Sequence, residues 1–548
     1  MPRASQSALQ RYKARRGASA DGTPAAPRPA GPRWGRVLAL SGALTAAWLG
    51  VLLVVERPRP ADPVDLTYEL DLQDAANGTL VITLVCDGTL PRQLDLALPP
   101  GVFGDAADGV RARDPQAHEL GPDGSQLRPL AVTPTADGWR LDTGGCRRAG
   151  LVYSVDLRAT PSSDQDVRRH LSTPVAGGIR AAGFEIFLEP LGVTVEGLTV
   201  AVRNPARLPL LVPWPALVRA GAAAAPAPAG EASLGYGQGF RPAADAPVPD
   251  VLDAPGSAAP VPTNVMYHPR DLADLNNALL VCGDLRVLAA QAGPCVIQLA
   301  TDRDWLFAND AALDLVRRIA RTEMGFFGSS PSEQITVLLA ANEITGSERF
   351  DVYGVHTGSS VLVMLDPQTT WGALEEQAAS VIAHEMFHGW LGESIRQTQP
   401  DMLWFTEGAT SWYSARMLAT AGVWATDHAR GVLGARLDRD YANNPLRGKM
   451  SVAEAASEVM ASNEQVRYGY AGSAAACMAL DEMLARTSGH RRPLDQVLRR
   501  LYEEGRGEPL TRARLVAAVE QVTGVDCTAW LDTYVYGRTA LPPVADML

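Results

Sequence analysis

His384 and His388 stand four residues apart, with Glu385 between them in the run His384-Glu385-Met386-Phe387-His388. On a helix that spacing puts both imidazoles on one face, one turn apart, where their nitrogens can converge on a single ion. Glu385 then lies beside them on the same helix, placed to face a water at that ion. Glu407, 19 positions after His388, is the candidate third ligand. Two histidines and one glutamate leave the fourth position of a tetrahedral ion open to solvent. That openness separates a catalytic zinc from a structural one. The expected cofactor is one Zn2+ per chain.

H-E-x-x-H is the zinc metallopeptidase pattern, in which the glutamate is the general base. The chemistry to expect is hydrolysis of a peptide or protein substrate: zinc polarises the scissile carbonyl, and Glu385 moves the proton from water to the leaving amine. The developing oxyanion needs a further donor. Tyr468 and Tyr470 both lie just ahead of a helical run, Gly472 to Leu484, and are the candidates. His118, His170, His268, His428 and His490 have no ligand spacing, and no C-x-x-C occurs. The rival from another class is a non-catalytic binding or scaffold protein that keeps the fold and the metal.

Elements of two kinds must hold these residues. From 64 to 218 the pattern has period two: Leu66, Tyr68, Leu70 and Leu72 alternate with Thr67, Glu69 and Asp71, and turn signals such as Asn77-Gly78 separate the runs. This reads as a β-sandwich-like domain. Residues 220–262, rich in Ala, Pro and Gly, read as a linker. An α/β part over 263–372 follows. There Asn309 or Asp310 caps a helix with Leu313, Val316, Ala320 and Met324 on one face, ended near Gly325 and Gly328, and strands pass through Ile335–Leu339 and 360–365. Residues 373–548 are helical in pattern. A turn with Asp401 as N-cap precedes a helix starting near Leu403, which carries Glu407 back against the first helix. The fold class is therefore α+β and multidomain.

Ahead of these domains, Val37 to Val55 is 19 residues without a charge, about one bilayer core in length. Residues 1–60 hold ten Arg or Lys against two acids, leaving 39 against 59 in the rest of the 548-residue chain. The positive-inside rule then predicts a basic, disordered cytoplasmic tail over 1–36, a transmembrane anchor over 37–55 and the remainder outside the cytoplasm. The alternative, a cleaved signal peptide, calls for a small-residue cleavage site, whereas this run ends in Glu56-Arg57-Pro58. A net charge of -12 argues against nucleic acid as a partner. Six cysteines fit an oxidising exterior, with Cys282 and Cys295 placed across a hairpin, though buried free thiols are equally compatible.

His384 to Trp390, followed by Leu403-Trp404-Phe405-Thr406-Glu407-Gly408-Ala409, resembles the glycyl aminopeptidase family of gluzincin metallopeptidases, with a more distant likeness to aminopeptidase N. Leu279-Leu280-Val281-Cys282-Gly283 is similar to that family's entry to the catalytic region. Tyr470-Ala471-Gly472-Ser473-Ala474 resembles its Tyr-x-Lys-Gly-Ala, and Leu494 to Leu498 its Leu-Asp-Asp-Val-Met. The resemblance implies a thermolysin-like peptidase domain, with a small mixed sheet and a helical subdomain. It also implies zinc on His384, His388 and Glu407, Glu385 as base, Tyr470 as oxyanion donor with Tyr468 as the alternative, and Trp390 and Trp404 as packing residues. Three departures stand out. The family's Gly-Leu-Glu-His reads Gly354-Val355-His356-Thr357 here, keeping His356 and Gly354 as substrate-binding candidates but placing Val355 where an acid anchors the substrate ammonium. Glu343 and Glu348 are the nearby acids that could replace it. Gly472 stands for the usual Lys, and the chain ends at Leu548, where relatives commonly continue into a PDZ domain. A strict glycyl-type aminopeptidase is accordingly the second enzymatic reading.

Overall fold

The computed structural model describes residues 63–99, 112–136, 138–158, 171–214, 216–217, 263–342, 352–457, 462–489 and 491–543. The expected basic tail (1–36), the apolar run Val37–Val55, the linker 220–262 and both Glu343 and Glu348 lie outside the described residues. Among the described residues, no helix is long and apolar enough to cross a membrane.

The alternating pattern of the first region becomes sheet. In Val64–Asp71 the residues Val64, Leu66, Tyr68 and Leu70 point inward and their neighbours outward, as a strand with one covered face requires. That strand lies inside an eight-stranded sheet, between Thr79–Gly88, antiparallel to it, and Val195–Arg203, parallel to it. Two four-stranded sheets complete the domain. Tyr68 and Tyr153 donate from the sheet to the carbonyls of Leu188 and Ile186, at 2.7 and 2.8 Å. They satisfy two buried polar ends while their rings fill the core.

The expected boundary at 263 is corrected. Asn264–Tyr267 pairs with Val195–Arg203 in the large sheet, and Leu279–Cys282 pairs with Gly178–Ala182. The chain thus returns to the first domain before entering the second. Four-residue strands carry too few periods to announce which sheet they join. The segment from Leu279 is therefore a strand of the first domain. Its Leu279 and Val281 reach a small apolar cluster shared with Leu338 and Leu362 of the catalytic sheet.

The catalytic sheet comprises β1 (Arg286–Ala292), β2 (Cys295–Thr301), β3 (Gln334–Ala341), β4 (Tyr353–Thr357) and β5 (Ser360–Leu365), in the order β1-β2-β3-β5-β4. β2, β3 and β5 run parallel, whereas β4 forms an antiparallel edge on β5. Between β2 and β3, α1 (Asn309–Phe327) buries Leu313, Val316, Ala320 and Met324 as expected and ends at left-handed Gly328. Its N-cap is Ala308, not Asn309 or Asp310, with no side-chain cap bond. The hairpin is β1–β2, so Cys282 precedes it and does not face Cys295. All six cysteines are buried free thiols.

The helical part holds α2 (Ala379–Phe387), α3 (Leu403–Thr420), α4 (Thr426–Leu437), α5 (Asn463–Ser488) and α6 (Pro493–Glu504). Trp390, Trp404 and Trp412 are wholly buried between them, with Trp390 stacked on Phe327 at 5.2 Å. α5 starts nine residues before the expected Gly472, because the Ser462 side chain accepts from Gln465 N–H at 3.2 Å and caps it. Asp481 of α5 in turn accepts from Leu494 N–H, in the first turn of α6, at 2.9 Å.

Asp481 is 5% exposed. Burial pushes its carboxyl up to about 6, with Asp495 adding to the rise and the Leu494 N–H opposing it. An acid that holds its proton more tightly folded than unfolded stabilises the fold at low pH. That contribution is lost as pH rises from about 4 through about 6, and amounts to about 1–3 kcal/mol. Asp481→Asn keeps an acceptor for Leu494 and never ionises. Its Tm should match the parent near pH 3.5 and exceed it by a few degrees at about pH 8. Equal Tm differences at the two pH values would contradict this origin.

Candidate active site

α2 follows a helical turn at Trp371–Ala373 and a π-helical turn at Leu374–Ala378, and delivers His384 in its last turn with His388 just beyond. The imidazole Nε2 atoms lie 3.2 Å apart. The Leu391 carbonyl accepts from His388 Nδ1–H at 3.0 Å. A carbonyl can only accept, so Nδ1 carries a proton and Nε2 is the nitrogen turned to a metal. A 3-10 turn at Pro400–Met402 then starts α3, with Met402 rather than Asp401 at the N-cap. α3 brings Glu407 Oε2 to 3.2 Å from His384 Nε2 and 3.6 Å from His388 Nε2.

These three atoms fit zinc. For ligands at 2.0–2.1 Å around a tetrahedral ion, ligand-to-ligand distances are about 3.3–3.4 Å. The observed 3.2, 3.2 and 3.6 Å bracket that value. Among the described residues this is the one group of three or more His, Cys, Asp or Glu close enough to share an ion. The pocket also favours positive charge. Burial pushes Glu407 up, yet His388 and His384 more than offset it and hold the carboxyl well below the usual range. Burial likewise works against a charged His388, but Glu407 and Glu385 raise it to about 9. In the metal-free chain that charge is a proton, which a divalent ion displaces.

Glu385 is not among the ligands. It packs against β4, where Gly354 leaves room: a Cβ at 354 would stand 2.6 Å from Glu385 Cγ. Gly354 is therefore a contact that seats the Glu385 side chain. Burial raises the Glu385 pKa and Glu407 adds to it, against His384, His388 and the His356 backbone. A carboxylate so raised holds a proton more tightly than a free one, which suits a group that takes a proton and later returns it.

β4 settles which side chains of the edge strand face this centre. His356 shares the Gly354 face, and its ring centroid is 6.3 Å from that of His388. Neither of its ring nitrogens makes a hydrogen bond among the described residues. Burial pushes its pKa down to about 3, with His388 adding to the fall, so the ring is neutral. Val355 points the other way, into the cluster of Phe184, Leu362 and Met364. The position expected to carry an ammonium-binding acid therefore faces an apolar core, and the site-facing residue is His356.

The two candidate tyrosines separate cleanly. Tyr470 on α5 lies with its ring 6.0 Å from that of His384. Glu407, then burial, then Glu385 hold its hydroxyl well above the usual tyrosine range, so it stays a proton donor. Tyr468 stacks on Tyr441 at 5.7 Å and donates to the Met450 carbonyl at 3.3 Å. Residues two apart on a helix point in nearly opposite directions, so Tyr468 is outside the site. Gly408, beside the third ligand, lets α5 come this close: a Cβ there would stand 2.3 Å from the Ser473 carbonyl oxygen. Arg436, in the last turn of α4 and over the Tyr470 ring at 5.9 Å, belongs to no motif and is found only once α4 is folded back along α3.

With this geometry in place, comparison with known proteins shows what the catalytic part is similar to. Residues 334–534 match the Peptidase family M1 domain. A 113-residue stretch, 20% of this chain, is 26% identical to Aminopeptidase M1 of Arabidopsis thaliana and spans 13% of that relative's length. A likeness of fold alone reaches beyond that stretch. An aminopeptidase N family protein from Idiomarina loihiensis superposes with a TM-score of 0.66 at 17% identity, covering 87% of this chain and 77% of that one. An M1 zinc metallopeptidase from Deinococcus radiodurans gives 0.53 at 15% identity over 89% and 95%. A mutant of the Deinococcus enzyme holding a Tyr-Ser-Ala substrate gives 0.52 at 15% identity, over 89% and 96%.

Proposed function

We propose that this chain is a membrane-anchored zinc metallopeptidase that hydrolyses peptide bonds outside the cytoplasm. The observation that carries the reading is the trio of His384, His388 and Glu407 at tetrahedral ligand spacing, with Glu385 beside it and Tyr470 opposite. The M1 match and the peptide-bound relative support it. Zinc, when bound, polarises the scissile carbonyl and acidifies the attacking water. Glu385 takes the proton of that water and returns it to the leaving amine. The Tyr470 hydroxyl donates to the oxyanion that develops on the carbonyl. The uncharged run Val37–Val55 behind a basic tail supports the anchor and its orientation.

Within this reading the specificity leans away from a strict glycyl-type aminopeptidase. Ammonium capture calls for a carboxylate facing the substrate N-terminus, because an unpaired ammonium in a closed site is costly. On β4 the site-facing residues are Gly354 and the neutral His356, and Val355 faces the core. Full-length chain should therefore cleave N-acetylated peptides at rates within about tenfold of their free-amine counterparts. A demand for the free amine of roughly 10²-fold or more would restore the strict aminopeptidase. Hydrolysis of neither kind by zinc-loaded chain would leave the non-catalytic reading.

A further inference from the structure

Among the described residues, Arg436 is a cation without a counter-charge at the edge of this centre. Its guanidinium carbon lies 5.9 Å from the centre of the Tyr470 ring, and that ring is 6.0 Å from His384. Among the described residues, no carboxylate forms an ion pair with it and no acceptor takes its hydrogen bonds. The acid one turn further along, Asp440, is already engaged, since both its oxygens accept from Arg439 at 2.8 and 2.7 Å. Glu407 is committed to the two imidazoles. Burial draws the Arg436 pKa down, opposed by Asp440, Tyr470 and Glu407. The aromatic face of Tyr470 offsets only part of that cost.

A planar fork of donors left open beside the proposed oxyanion donor matches a bidentate oxyanion, and the one that a peptide carries is a carboxylate. We propose that Arg436 binds a carboxylate of the substrate close to the scissile bond, so that peptides carrying one there are the preferred substrate class. The inference rests on the peptidase reading and deepens it. The carboxylate can be the C-terminus of a short peptide or an Asp or Glu side chain flanking the cleaved bond. Beyond residue 60 the chain carries 39 basic against 59 acidic side chains. Long-range attraction therefore does not draw such peptides in. The preference arises from contact and depends only weakly on salt.

The test is kcat/KM of the full-length chain on matched peptides in two arms: free C-terminus against C-terminal amide, and Glu against Gln at each position flanking the cleaved bond. Wild type should favour the carboxylate in one arm by roughly 10- to 100-fold, the worth of a charge-assisted hydrogen bond. Arg436→Gln should bring that ratio to within about twofold, and Arg436→Lys should keep part of it. The arm in which the ratio collapses identifies the source of the carboxylate. Ratios near one in both arms for wild type overturn the proposal without any variant. An Arg436→Gln loss equal on acid and amide also overturns it, because Arg436 would then act through Tyr470. Cleavage of amides and acids alike leaves the peptidase reading intact, whereas no cleavage of any peptide by zinc-loaded chain overturns both.

Discussion

Glu385→Gln should lower kcat/KM on any cleaved peptide by roughly 10²-fold or more while the chain keeps about one zinc. The two halves of that expectation come from different parts of the geometry. Zinc retention follows from the proposed ligand set of His384, His388 and Glu407, which excludes Glu385. The loss of rate follows from replacing a proton acceptor by an amide of the same shape. Gln also fits the space against Gly354, so the substitution should leave the packing of β4 on α2 undisturbed. Metal analysis and steady-state rates on one preparation read both halves. Unchanged activity would remove Glu385 from the mechanism, and zinc lost with the carboxylate would make it a ligand.

Tyr470→Phe and Tyr468→Phe should differ sharply. Removing the Tyr470 hydroxyl takes away a donor to the oxyanion and should reduce kcat by about 10²-fold, with KM changed far less. The Tyr468 hydroxyl serves the Met450 carbonyl, more than half a helical turn away in direction. Its loss should leave kcat within about threefold and show instead as a small drop in Tm, the worth of about one hydrogen bond. Equal losses of kcat in the two variants would mean that α5 is rotated relative to the arrangement described, and a larger loss at Tyr468 would exchange their roles.

The meeting of His384, His388 and Glu407 was legible because its signal is local. A four-residue spacing on one helix and a single later acid need no tertiary information beyond the return of α3. Tyr470 was legible only through resemblance, because spacing alone left two tyrosines, and the separation came from Ser462 capping α5 early enough to put both inside a helix. The edge strand was misread for a similar reason. Val355 holds the residue-by-residue place of an acid, but the side that a strand residue faces depends on its pairing, and β4 pairs with β5 so that Gly354 and His356 face α2. The first domain was legible wherever a strand was long enough to show period two. Asn264–Tyr267 and Leu279–Cys282 were too short for that, and their sheets are known only from pairing across long stretches of chain. Arg436 had no signal, since nothing local marks an arginine as unpaired.

Three side chains, His384 and His388 at the C-terminal end of α2 and Glu407 on α3, should close on one zinc ion. The most direct measurement is the zinc content of full-length wild type, Glu385→Gln and Glu407→Gln, each dialysed against the same limiting free zinc and assayed for peptide cleavage. The expected result is about one zinc per chain in the first two, a marked loss in Glu407→Gln, and cleavage in wild type alone. Equal zinc in Glu407→Gln and wild type, or cleavage that persists in wild type after its zinc is removed, would contradict it.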